Sequence, residues 1–285
     1  MTLSNSWRVF LVSASVLYLV FVSCCILDPS DDDDTNVEVR EVFDYSVEVQ
    51  DRTVFRISGI NGPMDIVGRT ECPSVEIWGE KIVRSYSLAD AEAYLANVDV
   101  VVSTDENEVR VRTEQPMNTG RRDCEVVYHV RIPESWQVFA ENMNGGIGID
   151  SLKSAAYVGL INGDIGLSDI EGQVNAGLTN GNIILVNFRG SVDAGVTNGR
   201  IQGDVTLPLD GICTLGVVNG SIDLDIPVST SAEFMATVNK GSIRITGLVL
   251  MDQVMTEGSA SGRLGNGQGA ITLQIVNGDI DVQGR

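Results

Sequence analysis

The chain has 285 residues, of which 43% are hydrophobic, and it contains 30 glycines against 7 prolines. This composition is ordinary for a globular protein and suits a β fold that is rich in corners. The formal net charge of −20 argues against a nucleic-acid-binding protein, because no basic stripe is present to neutralise phosphates.

Residues 1–23 are predicted to be a signal peptide or a membrane anchor. A single basic residue, Arg8, precedes an apolar stretch at 9–22, and Ser23, Cys24 and Cys25 follow it. This order resembles a bacterial lipoprotein signal with Cys24 as the lipidated first mature residue. The apolar run also extends over 9–27, which is long enough for an uncleaved membrane span, and simple secretion is a third interpretation. All three place the remaining chain outside the cytoplasm, and the favoured localisation is the bacterial cell envelope, with the chain anchored to a membrane as a lipoprotein or by a single N-terminal span.

Residues 24–36 are predicted to form an acidic tether. The segment carries five acidic residues and no basic ones, namely Asp28 and the run Asp31, Asp32, Asp33 and Asp34. Such a charge run is typical of a solvated spacer that holds a folded body away from the membrane. A cation site or a partner site is the alternative interpretation.

Residues 37–285 are predicted to form one elongated β body with a helical insertion near 87–98. The insertion reads SLADAEAYLANV, in which a leading Ser and apolar residues at helical spacing predict a short helix. Three strands are predicted between 98 and 132, reading VDVVVS, EVRVRT and CEVVYHVRI.

An Asn-Gly dipeptide recurs through this body, first at Asn61-Gly62 and then every 18 residues from 144 to 199, with later copies at 219 and 277. The predicted turn positions are Asn144, Gly145, Asn162, Gly163, Asn180, Gly181, Asn198, Gly199, Asn219, Gly220, Asn277 and Gly278. Self-similarity at a period near 20 residues is typical of a solenoid.

The residues around each Asn-Gly show how a unit is built. Counting from each Asn as zero, apolar residues occupy offsets −6, −4 and −2 before the corner and +3 and +5 after it, as in Val174, Ala176, Leu178, Ile183 and Leu185. Alternation of this kind is typical of a half-buried strand, and glycine supplies the positive φ of a corner. We therefore predict an all-β, single-chain parallel β-solenoid of the right-handed β-helix type, in preference to a meander of hairpins. Stacked Asn side chains pointing inward are predicted to form a ladder along one corner.

Two irregularities are expected near the end of the chain. The sequence Asn239-Lys240-Gly241 reads as a corner with one inserted residue, and the interval from Asn239 to Asn277 reads as hiding one degenerate unit.

The five cysteines fall into three groups. Cys24 and Cys25 belong to the signal junction, and Cys213 stands at offset −6, where it is predicted to be a small apolar core residue. Cys72 and Cys124 remain, and an oxidising compartment permits a disulfide between them. Their spacing gives no geometry, so a disulfide and two free thiols both stay open.

No catalytic, cofactor-binding or metal-binding residue is predicted. A site on a solenoid requires acidic residues at one offset in adjacent units, and no offset after the corner holds them over three units. His129 is the single histidine and is interpreted as structural. Trp78 and Trp136 are the candidates for stacking on a sugar, with packing as the alternative interpretation.

Segments such as NAGLTNGNIILVNFRGSVDAGVTNGRIQGDV, LGVVNGSIDLDIP and GRLGNGQGAITLQIVNGDIDV resemble the putative-adhesin, β-strand repeat-containing family of bacterial envelope proteins, a domain of unknown function. FRISGINGPMDIVG followed by a helical ADAEAYL stretch also fits the usual order of that family. The resemblance covers residues 37–285. It implies a right-handed β-solenoid that is frequently lipid- or membrane-anchored, and it implies no catalytic residues.

The leading hypothesis is a non-enzymatic, membrane-anchored envelope protein that presents its solenoid surface for binding, in the manner of an adhesin. Its ligand is expected to be an envelope polysaccharide or a protein. The alternative is a sensor or regulator of envelope stress that acts through a membrane signalling partner. Self-association through the open end coils is a further expectation, because unpaired edges invite pairing.

Overall fold

A computed structural model describes residues 13–14 and 37–285 of the chain. The described part contains an 18-stranded sheet and one helix. The elements are β1 (Ser13–Ala14), β2 (Val37–Glu48), β3 (Val54–Ser58), β4 (Met64–Arg69), β5 (Ser74–Ser85), α1 (Leu88–Leu95), β6 (Asp99–Thr104), β7 (Glu108–Glu114), β8 (Asp123–Pro133), β9 (Gln137–Asn144), β10 (Ile147–Leu152), β11 (Ala156–Asn162), β12 (Ile165–Thr206), β13 (Ile212–Ile226), β14 (Ala232–Lys240), β15 (Ile243–Thr246), β16 (Met251–Met255), β17 (Ser259–Leu264) and β18 (Gly269–Gly284).

The strands wind as a parallel β-solenoid, which confirms the predicted fold class. Stretches before each Asn-Gly pair with one another in register and form face A, as in Val138 with Ala156 and Ala156 with Val174. Stretches after each Asn-Gly form face B, as in Ile147 with Ile165. Strand β12 is 42 residues long because it continues through several corners of the coil without a break in the ladder.

The core lies between the two faces and consists of stacked rows of small and branched apolar side chains. Offset −6 of face A provides Val138, Ala156, Val174, Val192, Cys213 and Ile271, all of them buried. Offset +3 of face B provides Ile147, Ile165, Ile183, Ile201, Ile222 and Ile280, also buried. Like residues stack on like because corresponding positions in parallel coils lie about 4.8 Å apart.

The Asn side chains at the corners are joined in a chain of hydrogen bonds. Each Asn donates its Nδ2 to the Oδ1 of the Asn in the adjacent coil, at 2.7 Å from Asn144 to Asn61 and 2.8 Å from Asn162 to Asn144. The series continues through Asn180, Asn198, Asn219 and Asn277. The expected inward direction is wrong, because most of these residues are exposed at the outer edge of the corner.

The N-terminal end of the solenoid is covered by additional structure. Strands β2, β5 and β8 pair antiparallel and extend face B beyond β4. Helix α1 starts at the N-cap Ser87 and buries Ala91, Tyr94 and Leu95 against the core, as the predicted helical insertion requires. Lys81 is buried beneath it, where its Nζ contacts Glu41 Oε1 at 2.9 Å and donates to the Val98 carbonyl at 3.0 Å.

At the C-terminal end the coils do not stack in the order of the sequence. Strand β18 pairs with β13 on one side and with β14 and β15 on the other, so the last coil lies between two earlier ones. The predicted inserted residue is wrong, because Lys240 stands in register with Asn277 and takes the place of the corner Asn. The predicted degenerate coil is also wrong, because β16 and β17 form an antiparallel hairpin joined to β14.

Lys240 lies in the outermost coil, where no further rung follows it. Each inner rung of the Asn ladder donates a hydrogen bond to one neighbour and accepts one from the other, and a lysine ammonium has no acceptor. The position of Lys240 at the end of the series is compatible with this requirement. The inner position is taken by Asn277, whose Nδ2 donates to Asn219 Oδ1 at 2.8 Å.

The predicted signal peptide or anchor at 1–23 lies outside the described residues apart from Ser13–Ala14, which pairs antiparallel with β2. Cys24 and the acidic tether at 24–36 lie wholly outside them. Within the described residues, no helix combines the length and the apolar character needed to cross a bilayer.

Candidate binding groove

A groove runs along the outer surface of face A, parallel to the solenoid axis. It encloses about 640 Å³ and passes over successive coils from Ser58 to Gly195. Its floor is formed at offset −3 by Gly159, Gly177 and Gly195, and Gly216 continues the row in the next coil. We call these four stacked residues the floor glycines. With no side chain on this row, the backbone of face A is open to solvent over several coils.

Outward rows flank the floor on both sides, and one of them forms a wall of the cavity. Offset −1 gives this wall, with the apolar and hydroxyl side chains of Met143, Ile161, Thr179 and Thr197. Offset −5 gives the row on the other side of the floor, and none of its residues lines the cavity itself; they are Phe139, Tyr157, Asn175, Asp193, Thr214 and Thr272. Strand alternation places these two rows on the same side of the sheet as the floor glycines.

Two aromatic rings form the N-terminal part of the offset −5 row. The rings of Phe139 and Tyr157 stack with their centroids 4.6 Å apart and their planes 7° from parallel. The guanidinium of Arg56 lies 4.1 Å from the centroid of the Phe139 ring. Both aromatic residues are half-buried, so part of each side chain is open to solvent.

The floor glycines are not required by the backbone. A Cβ built at Gly177, Gly195 or Gly216 has no atom within 4 Å, and none of these residues has a positive φ. Glycine in the interior of a strand weakens it, and it often marks a place where a ligand or another backbone comes close. The floor therefore has no structural reason to lack side chains.

A second groove of about 830 Å³ crosses the outer surface of β2, β5 and β8. One side is formed by Asp44, Trp78 and His129, and the other by Val42, Glu80 and Val127. Trp78 stacks on His129 with ring centroids 5.7 Å apart, and Arg131 lies 4.7 Å from the Trp78 ring. Trp136, the other sugar-stacking candidate, is buried and packs in the core.

The structure does not bring Cys72 and Cys124 together. Cys72 lies just before Ser74, the first residue of β5, whereas Cys124 pairs with Val83 near the other end of that strand. Positions 74 and 83 lie about 30 Å apart at ~3.3 Å per residue, far beyond the Cα separation of a disulfide. Both residues are free thiols, and the disulfide interpretation is corrected.

Burial governs the chemistry of the inner thiols. Cys213 lies in the core as predicted, and burial raises its pKa to about 12. Burial also raises the pKa of Cys124 to about 11. Both thiols are therefore protonated and inert at neutral pH, since the thiolate is the reactive form.

The remaining titratable groups form ion pairs along the surface. His129 Nδ1 lies 3.3 Å from Asp65 Oδ2, on a side chain that remains largely exposed. In the part of the chain that the structure describes, no three His, Cys, Asp or Glu side chains are grouped so that they could hold a metal ion.

The glycine floor is the candidate functional feature that the offsets after each corner do not show. The offsets that follow each Asn describe face B, whereas the groove lies at the odd offsets before it. Recurrence of glycine at −3 between apolar and polar rows is nevertheless written in the sequence. Its meaning depends on knowing that the residues are stacked and unobstructed.

The second half of the chain matches a known protein-family model. Residues 137–283 match the family model described as Toastrack DUF4097. The chain belongs to the Toastrack DUF4097 family. This match, which covers more than half of the chain, confirms the resemblance that the repeat had indicated.

Three bacterial proteins are among the solved structures that match this chain. A "putative cell adhesion protein" from Clostridium sporogenes is 13% identical with a TM-score of 0.40, over 86% of this chain and 100% of that one. A "putative adhesin" from Parabacteroides merdae is 12% identical with a TM-score of 0.35, over 85% and 95%. Another from Bacteroides fragilis is 9% identical with a TM-score of 0.35, over 85% and 96%. No curated protein matches the chain.

Proposed function

We propose that this Toastrack protein is a non-enzymatic, membrane-anchored protein of the bacterial envelope that binds an uncharged polysaccharide along the glycine-floored groove of face A. The groove is the observation that carries the proposal. It is long and open at the floor, and its volume lies within the range of about 300–1,000 Å³ that is common for ligand sites.

The lining of the groove favours an uncharged ligand. Glu141 is the one charged side chain among the described residues that line the cavity, although the whole chain carries a net charge of −20. A polycation would be attracted elsewhere on such a surface, and a polyanion would be repelled by the molecule as a whole.

The wall chemistry suits sugar rings. Thr179 and Thr197 line the cavity and offer hydroxyl groups, and the half-buried ring of Tyr157 lies in the offset −5 row beside the floor glycines. Aromatic rings pack against the apolar faces of sugars, and hydroxyl side chains both donate and accept hydrogen bonds.

An extended peptide fits less well than a polysaccharide. Peptides commonly join a sheet by pairing with a free strand edge. The strands under the groove are already paired on both sides. Strand β11 lies between β9 and β12, and strand β13 lies between β12 and β18. A peptide would therefore find no backbone partners there.

The anchoring half of the proposal rests on the apolar stretch at 9–22 and on Cys24. Intact mass measurement of the mature protein from membranes is expected to find a lipidated Cys24 at the N-terminus. An unprocessed Met1 would replace the lipoprotein by a spanning anchor, and a water-soluble mature chain would refute anchoring altogether.

The binding half is tested by filling the groove in the full-length protein. Gly177→Val places a side chain on the floor, where space is open, and Gly166→Val is the matched control on face B, where space is equally open. Affinity electrophoresis through gels containing a neutral glucan, mannan or galactan measures binding.

Retardation of the native chain and of Gly166→Val by at least one of these polymers, with at least a tenfold weaker effect for Gly177→Val, is the expected result. If Gly177→Val migrates like the native chain, or if none of the neutral polymers retards the native chain, the groove is not the site proposed.

A further inference from the structure

The two ends of the solenoid are finished differently. The N-terminal end is closed by α1, whose Ala91, Tyr94 and Leu95 are buried. At the C-terminal end, Ile243 and Ile245 of β15 stand in register with Ile280 and Val282 of the adjacent coil. Those partners are fully buried, whereas Ile243 and Ile245 remain partly exposed. The core positions of the outermost coil, which is formed by β14 and β15, are therefore less covered than those of the coil of β18.

The open end is also stepped. On face A, β17 and β16 continue the sheet beyond β14. On face B, β15 pairs with β18, and no further described strand lies beyond it. The β16–β17 hairpin therefore overhangs the end by two strands, or about 10 Å at ~4.8 Å per strand.

The overhang is apolar and only partly covered. Leu248 and Leu250, which connect β15 to β16, pack against the core, and Leu250 lies next to Gly262 of β17. Met255 pairs with Ala260 and so shares its side of the sheet. Ala260 is 1% exposed, whereas Met255, farther out, is 53% exposed. Val254, its neighbour in sequence, points to the other side and is 58% exposed.

The charge of this end differs from that of the rest of the molecule. Residues 240–263 contain three basic residues, Lys240, Arg244 and Arg263, and two acidic residues, Asp252 and Glu257. Two copies of a chain with a net charge of −20 repel each other over most of their surfaces. Residues 240–263 carry no excess of negative charge, so a second copy of the chain can approach this end without the repulsion that acts elsewhere.

We propose that two copies of the chain interlock through their C-terminal ends, with each β16–β17 hairpin filling the step beyond β15 of the other. A two-fold axis perpendicular to the solenoid axis and parallel to the faces exchanges face A with face B. It therefore sets the overhang of one copy against the gap of its partner. The free edges of β15 and β16 gain strand partners, and Met255 covers the partner's uncovered core.

The arrangement closes at two copies. An isologous contact uses the same surface on both molecules and leaves nothing further to pair. The opposite end is covered by α1 and the antiparallel strands, so the dimer does not extend into a fibre.

The test compares two neighbouring substitutions in the full-length protein, solubilised in detergent. Met255→Lys puts a charge on the inner side of the hairpin, and Val254→Lys puts the same charge on the outer side of the same strand. Light scattering corrected for bound detergent gives the protein mass over a dilution series, and circular dichroism checks that both variants are folded.

The native chain and Val254→Lys are expected to have twice the mass of one mature chain, as measured by intact mass, and Met255→Lys is expected to have the mass of one chain. A native monomer overturns the proposal. So does a dimer that survives Met255→Lys, because association is then through the N-terminal segment or another surface. Loss of the dimer in both variants overturns the interlocked geometry.

Discussion

Glycine recurs at two places in four successive coils, at the Asn-Gly corner and on the row of the floor glycines. At the corner, Gly199 has a φ of +143°, and a Cβ added there would lie 1.7 Å from the Gly181 carbonyl oxygen. On the floor, four residues earlier in the same coil, Gly195 has an ordinary φ and open space. The first glycine is demanded by the fold, and the second is unexplained by it. The difference separates scaffold from candidate function within one repeat.

The largest effect is expected from Gly199→Ala. Its methyl group would overlap a carbonyl oxygen of the adjacent coil, at a φ that side chains rarely adopt, so the coils must separate locally. A loss of about 3 kcal/mol or more in the free energy of unfolding is expected. Denaturant unfolding measures it, and Gly195→Ala in the same coil is the control. Equal stability of the two variants would remove the distinction between corner and floor.

A smaller loss is expected from Asn180→Ala, which removes one rung of the ladder. Asn180 donates to Asn162 Oδ1 at 2.8 Å and accepts from Asn198 Nδ2 at 2.9 Å. Water replaces both partners because the corner is exposed, so the loss is expected to be about 1 kcal/mol. Denaturant unfolding is again the measurement, with Asn175→Ala as an exposed control on the same face. A loss of the size expected for Gly199→Ala would mean that the ladder, rather than the glycine, defines the corner.

A change of opposite sign is expected from Gly177→Val on the floor. A β-branched side chain suits a strand and restricts the unfolded chain, and no atom obstructs it. We expect a gain of about 0.5–1 kcal/mol in the free energy of unfolding. Thermal and denaturant unfolding test this prediction, and a clear loss would show that the floor glycines are structural after all.

The smallest effect concerns the second corner of the coil, where polar residues such as Ser151 adopt a positive φ. Hydrogen bonds from Ser151 Oγ and Ser168 Oγ, both at 2.5 Å, hold the pKa of Asp150 below its usual range. Because the folded pKa is lowered, this stabilisation is present above the unfolded value of about 3.9 and is lost as the pH falls through the folded pKa. Asp150→Asn is therefore expected to lose stability at pH 7 and to converge on the native chain in acid.

Unfolding midpoints measured from pH 7 to pH 3 check this prediction. A difference between the two chains that grows as the pH falls would contradict the sign of the pKa shift.

Much of the fold follows from particular residues. Alternation at Val174, Ala176 and Leu178 indicates a strand, and the glycine after each Asn indicates a corner, because both signals are local. The short helix is indicated in the same way by Ser87 and its apolar spacing. The groove was harder to predict, since a glycine at −3 has the same letter as one at a corner. Only the unobstructed space around it distinguishes the two.

The sequence by itself determined the coil: its period, its inward offsets, its corners and the core position of Cys213, because these depend on residues close in the chain. Tertiary structure alone decided which coils are neighbours. It placed β18 between β13 and β14, turned the expected degenerate coil into a hairpin and kept Cys72 apart from Cys124. The same apolar offsets recur in the coils, so the local pattern does not specify which coils are neighbours.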